Sequence, residues 1–157
     1  MADQQIPDPE SDPGISITRV FEAPRERVWA EWTTPAAFAD WFGGTEAEIP
    51  LDTVEMDVRE GGSWKATMFA GPERREINWI GEYIEVSEPE RLVKTVTDMP
   101  DDPERGLITM VLTDLGDGRT EMLMEQRGDM PPEQFEAAAK GWGGFLDRME
   151  ARLAEGG

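Results

Sequence analysis

The chain has 157 residues and a formal net charge of −19, from 34 acidic against 15 basic side chains. That length suits one domain, and that charge repels nucleic acid and anionic lipid. It contains neither cysteine nor histidine, which removes disulfides, thiolate and imidazole metal ligands, thiol nucleophiles and any Ser-His-Asp relay.

Residues 1–14 hold three Pro and four acids with almost nothing to bury. They predict a disordered acidic tail ahead of a single domain over 15–155. They also lack the basic and apolar regions of a secretion signal, and no apolar run in the chain approaches the ~20 residues of a membrane span. A cytoplasmic protein without membrane insertion is the expectation.

Ile15 to Phe21 alternates, with Ile15 and Ile17 on one face, and predicts a first strand. Pro24 then suits a first helical turn, and RERVWAEW places Val28, Trp29 and Trp32 on one side of a short helix. It must stop near Thr34, because a residue before Pro avoids the α region. A second short helix, Pro35 to Phe42, presents Phe38, Trp41 and Phe42 before Gly43-Gly44. Trp29 and Trp32 either pack inside or leave a patch for a second subunit, which keeps a homodimer open.

From Leu51 the period is two. Val54, Met56 and Val58 alternate with charged residues, Gly61-Gly62 turns the chain, and Trp64, Ala66 and Met68 share the next dry face. Glu76 to Val86 predicts a longer strand, with Ile77, Trp79 and Tyr83 on one parity and Ile80, Ile84 and Val86 on the other. A bulge or bend is expected near Gly81. Arg91 to Thr97 follows Pro89-Glu90, and 99–105 reads as an acidic, Pro-rich loop. Leu107 to Leu112 and Thr120 to Gln126 flank an Asp117-Gly118 hairpin turn, with Met110 and Met122 on the strands.

The last element, Pro131 to Leu153, repeats Phe135, Ala138, Ala139, Trp142, Phe145, Leu146, Met149 and Leu153 at three- and four-residue steps. That is one apolar face on a long helix. An antiparallel sheet built in this order has one face to bury, and this helix is its long partner.

The strings VWAEWTTPAAFADWF, GEYIEVSEPERLVKT, LTDLGDGRTEMLM and GWGGFLDRMEARL resemble bacterial relatives of the activator of heat-shock-protein ATPase, within the START-like helix-grip (SRPBCC) superfamily. The resemblance spans about Ile15 to Leu153. It implies an α+β helix-grip fold: a seven-stranded antiparallel sheet curved around a long C-terminal helix, two short helices between strands 1 and 2, and an apolar cavity. Two positions depart from the family pattern: Gln126-Arg127 stand where it carries a His, and Lys94 where it carries an aromatic or aliphatic residue.

The candidate ligand-binding residues are Trp41, Phe42, Trp64, Met68, Trp79, Tyr83, Met110, Met122, Trp142, Phe145 and Met149. Ring and thioether side chains are large, adaptable surfaces suited to a small apolar or aromatic molecule, and individually they are equally suited to filling a core. Gly141, Gly143 and Gly144 each cost the helix about 1 kcal/mol relative to Ala. They either let the helix approach the sheet, the preferred reading, or leave room beside Trp142. Acid/base work would fall to Tyr83 with Glu82, Glu85 or Arg74, which is the basis of a cyclase or hydrolase alternative. Binding rather than turnover is the expectation, with no cofactor and no metal. The resemblance alone supplies a further alternative, a stress-response co-chaperone with a heat-shock partner.

Overall fold

The computed structural model describes residues 14–42, 47–98, 101, 106–128 and 132–155. Residues 1–13 of the expected tail, the Gly43-Gly44 break, most of the 99–105 loop and the side chain of Phe135 lie outside the described residues, and Gly14, expected in the tail, begins the first strand. The elements in chain order are β1 (Gly14–Phe21), α1 (Arg25–Thr33), α2 (Pro35–Trp41), β2 (Ala47–Glu48), a 3-10 turn (Leu51–Thr53), β3 (Glu55–Met56), β4 (Ser63–Ala70), β5 (Arg75–Ser87), β6 (Arg91–Val96), β7 (Gly106–Gly116), β8 (Arg119–Arg127) and α3 (Pro132–Glu155). Among them, no helix is long and apolar enough to cross a membrane.

The strands form one antiparallel sheet in the order β1-β8-β7-β6-β5-β4-β2, with β3 also on β4. Seven positions therefore hold eight strands, because the outer one is broken. β2 pairs with Phe69 and Ala70, and β3 with Trp64 and Lys65. Between them Pro50 lacks an amide donor, and the chain makes a turn capped by the Thr53 hydroxyl on the Pro50 carbonyl. The strand expected over Val54 to Val58 is accordingly shorter, and β2 escaped the periodicity entirely because two residues carry no period.

Proline sets both short helices. The Pro24 carbonyl accepts from the Arg27 and Val28 amides to start α1, and extended Thr34 separates α1 from Pro35, the first residue of α2. At the other end of the sheet Asp117 (φ 59) and Gly118 (φ 76) make the β7–β8 turn, as the Asp-Gly pair predicts. On β5 the register shifts between Tyr83 and Glu85, not at Gly81. Ile84 is turned outward, 52% exposed, and Val86 returns to the core side. This explains why the sequence showed two competing parities. Gly81 instead permits a close approach, since a Cβ there would collide with the Thr95 carbonyl and the Trp64 indole.

The core lies between the inner face of this sheet and the three helices. α3 contributes Trp142, Leu146, Met149 and Leu153, all buried at three- and four-residue spacing. Trp29 and Trp32 are buried as well, so neither supplies a patch for a second subunit. Charge holds the helices together at the rim. Arg148 donates to both oxygens of Asp40 at 3.0 Å, and Arg152 bridges Asp40 and Glu31, the latter at 2.8 Å. Burial alone would raise the Asp40 carboxyl, but its bonds to Arg148 and Arg152 together outweigh that and hold it below the usual carboxylate range. Arg19 on β1 reaches Asp147 and Glu150 of α3 from the sheet side.

Candidate functional site

All eleven candidate residues belong to the single core cluster or pack against it. Met110, Met122 and Met149 are wholly buried, while Trp79 and Phe145 are partly buried at its margin. Two arrangements inside that core differ in kind.

Under α2 and α3 the rings touch one another. Trp142 stacks on Trp32 at 5.9 Å between centroids and lies 6.2 Å from Trp41, 6.0 Å from Phe42 and 5.4 Å from Phe145. Edge-to-face and offset contacts of this kind stabilise by about 0.5–1.5 kcal/mol beyond area burial. Polar edges here are matched: Trp142 Nε1 donates to Gln126 Oε1 at 2.7 Å, and Trp41 Nε1 to the Glu31 carbonyl at 2.7 Å. The residues expected to wall a hollow beside α3 therefore fill this part of the interior with each other. Gly143 and Gly144 do not bring α3 close to anything, since a Cβ at either meets nothing within 4 Å. The close-approach reading of these glycines is corrected: they face open space.

Next to this block, under α1 and α2, the matching stops. Lys94 on β6 is 1% exposed, and its Nζ has no hydrogen-bond partner among the described residues. Rings surround it: Trp64 at 4.1 Å from Nζ to centroid, Phe38 at 4.7 Å and Trp32 at 5.7 Å. Its cross-strand neighbours are Tyr83 on β5 and Ile108 on β7. No carboxylate is among these neighbours. Desolvation pushes the Lys94 amine down to about 7 from 10.5. The ring faces favour the ammonium by about 0.5–2 kcal/mol and offset only part of that.

Tyr83 is equally enclosed, and its hydroxyl also has no partner among the described residues. Burial first, and the charge of Asp57 second, raise its pKa well above the usual value, so it stays a proton donor. The Trp32 and Trp79 indole nitrogens are unpartnered too. Lys94, Tyr83 and Trp32 thus present hydrogen-bond donors from three elements, framed by Phe38 and Trp64. Each such orphaned group costs about 1–3 kcal/mol unless something supplies an acceptor.

The acid/base candidates are not here. Glu82 is exposed, Glu85 is bound to Arg91 and Ser87, and Arg74 pairs with Glu48 over the Phe69 ring. Alternation along β5 puts Glu82 outside and the register shift after Tyr83 takes Glu85 out as well, so Tyr83 alone of that set faces inward. In the sequence Lys94 stands out only as a departure from a family pattern. The available signal was a lone cation at an inward parity among Leu92, Val93 and Val96.

A surface depression of about 480 Å³ lies behind this group, lined by Glu55, Ser63, Trp64, Lys65, Ile80, Gly81, Glu82 and Thr95. Trp64 is common to both: it borders the depression, faces Lys94, and donates its indole proton to the Thr95 carbonyl at 3.0 Å.

A family model described as Activator of Hsp90 ATPase homolog 1-like protein matches residues 22–154. The chain belongs to that family. No curated protein sequence matches it. Among solved structures, a protein from Chromobacterium violaceum is similar at 28% identity and a TM-score of 0.77, covering 89% of this chain and 96% of that one. The AHSA1 protein from Silicibacter pomeroyi has a TM-score of 0.79 over 92% and 99% of the two chains, at 20% identity. At that identity the likeness concerns the fold. The antiparallel sheet, the paired short helices and the closing α3 make this member of the Hsp90-activator-like family a helix-grip protein.

Proposed function

We propose that this protein binds a small apolar or aromatic molecule against the concave face of its sheet, beneath α1, α2 and α3. The observation that carries the reading is the set of unpartnered donors on Lys94, Tyr83 and Trp32, enclosed by rings. A core that served packing alone gains nothing from such groups, and removing them would stabilise it. A ligand with an apolar body and one acceptor oxygen would satisfy them. The rings would hold its body, and the donors would fix its orientation.

The test is a thermal-shift and native mass-spectrometry screen of aromatic metabolites and lipids, on the wild type and on a Lys94→Met, Tyr83→Phe double variant. Compounds bearing a carbonyl, carboxylate or ether oxygen should raise the melting temperature of the wild type and lose that effect in the double variant. A crystal structure in which ordered waters alone meet these donors, with no hit in the screen, would end the reading.

The family model's description favours a second reading, stimulation of a heat-shock-protein ATPase through direct contact. Its discriminator is the turnover rate of such an ATPase with and without this protein. A rise that survives the double variant would assign function to the surface instead.

A further inference from the structure

The enclosed amine has chemistry of its own that binding alone does not use. We propose that Lys94 is a nucleophilic lysine that captures an aldehyde with an apolar or aromatic body as an imine, with the Tyr83 hydroxyl as donor to the carbonyl oxygen. This rests on the reading of the concave interior as a ligand site, and it names the class of ligand.

The geometry supplies each requirement. Lys94 and Tyr83 are register partners on adjacent strands, β6 and β5, so their Cβ atoms stand about 4.5–5.5 Å apart on the same face. Both side chains are buried on that face. Among the described residues, α1, α2, β4, β5 and β7 present Trp32, Phe38, Trp64, Tyr83 and Ile108 around Lys94, while the Asp57 carboxylate acts on the Tyr83 hydroxyl. Burial accordingly leaves a large share of the amine neutral near pH 7. An apolar enclosure also favours the condensation, which expels water.

The step balances without any further reactant. The neutral nitrogen forms a bond to the carbonyl carbon while the oxygen takes a proton from the Tyr83 hydroxyl. The resulting carbinolamine loses its oxygen as water as the second N–C bond forms. Both hydrogens of that water trace to the amine, one directly and one through Tyr83, which is reprotonated. Trp64 borders both Lys94 and the surface depression, and its indole donates to the Thr95 carbonyl.

The experiment uses the full chain, benzaldehyde and sodium cyanoborohydride at pH 7, with peptide mapping of the reduced adduct. The other lysines, Lys65 and Lys140, are internal controls. Labelling at Lys94 should exceed that at either control by about tenfold or more and should saturate with benzaldehyde concentration. Lys94→Met should abolish that adduct and leave the controls labelled. Tyr83→Phe should slow it several-fold. Lys94 labelled no faster than Lys65 would overturn the inference. Benzyl alcohol, which has no carbonyl, separates the two readings: alcohol binding without a Lys94 adduct removes the amine chemistry and keeps the pocket, whereas neither result removes both.

Discussion

The interior contains two neighbouring clusters built from the same kinds of ring but with opposite polar character. Around Trp142 each described indole donor of the α2–α3 contact finds an acceptor, and the rim above it is tied by Asp40, Arg148, Arg152 and Glu31. Around Lys94 the rings are as tightly placed, yet the nitrogen, the Tyr83 hydroxyl and the Trp32 indole are left without acceptors among the described residues. Trp32 belongs to both, stacking on Trp142 with its face while its own nitrogen is unmatched. Matched polar edges and packed rings hold helices to a sheet. Unmatched ones carry a burial cost that an acceptor, or removal of the group, would relieve. The first cluster is where stability resides, and the second is where the proposed ligand would find its donors.

That contrast can be broken from either side. Trp142→Ala removes the central ring of the matched cluster and strips Gln126 of its donor, so urea unfolding should show a loss of about 3–5 kcal/mol. In the unmatched cluster the sign reverses. Lys94→Met keeps the volume and removes the buried amine, and should raise stability at pH 7 by on the order of 2–4 kcal/mol, after allowance for the lost ring contacts.

The pH dependence of that gain follows from the lowered native value. Between 10.5 and about 7 the unfolded chain takes up the Lys94 proton and the native one does not, so this residue's contribution worsens as pH falls through that window and is level below it. The advantage of Lys94→Met should therefore be largest below pH 7 and shrink toward pH 10.5. An advantage independent of pH would mean that Lys94 is not titrating inside the fold.

Smaller effects sharpen the picture at the rim. Asp40→Asn should cost about 1 kcal/mol, discounted because the carboxylate is partly exposed. Its native pKa lies below 3.8, so its stabilisation is present above that value and is lost as pH falls through the lower native one. Wild type and variant should begin to converge in acid denaturation only below about pH 4. The smallest expected change is a gain: Gly143→Ala and Gly144→Ala meet no neighbour and should each stabilise α3 by about 0.5–1 kcal/mol. A loss in either would mean that the helix closes up there in solution.

Much of the fold was legible because its signals are local. Pro24 and Pro35 bound the two short helices, Asp117-Gly118 turned the last hairpin, and the three- and four-residue spacing from Trp142 to Leu153 gave the buried face of α3. The parity of Ile80, Ile84 and Val86 misled only in placing the irregularity at Gly81, when the shift at Ile84 is what returns Val86 to the core. The eleven candidate residues all join the core or pack against it, and their chemistry is too uniform to mark a site within it. Ring and thioether content cannot distinguish Trp142, whose nitrogen has Gln126, from Trp32, whose nitrogen is unmatched.

The sequence by itself determined the order of the longer elements, the inward face of most of them and the acidic, histidine-free chemistry open to the chain. These follow from backbone constraints and side-chain periods, which act over a few residues. Only the tertiary structure decided that Lys94 stands opposite Tyr83 among three rings without an acceptor, and that Gly143 and Gly144 look into open space. Whether a buried polar atom is satisfied depends on what distant strands and helices bring to face it. That is fixed by register and packing between segments far apart in the chain, which no local pattern encodes.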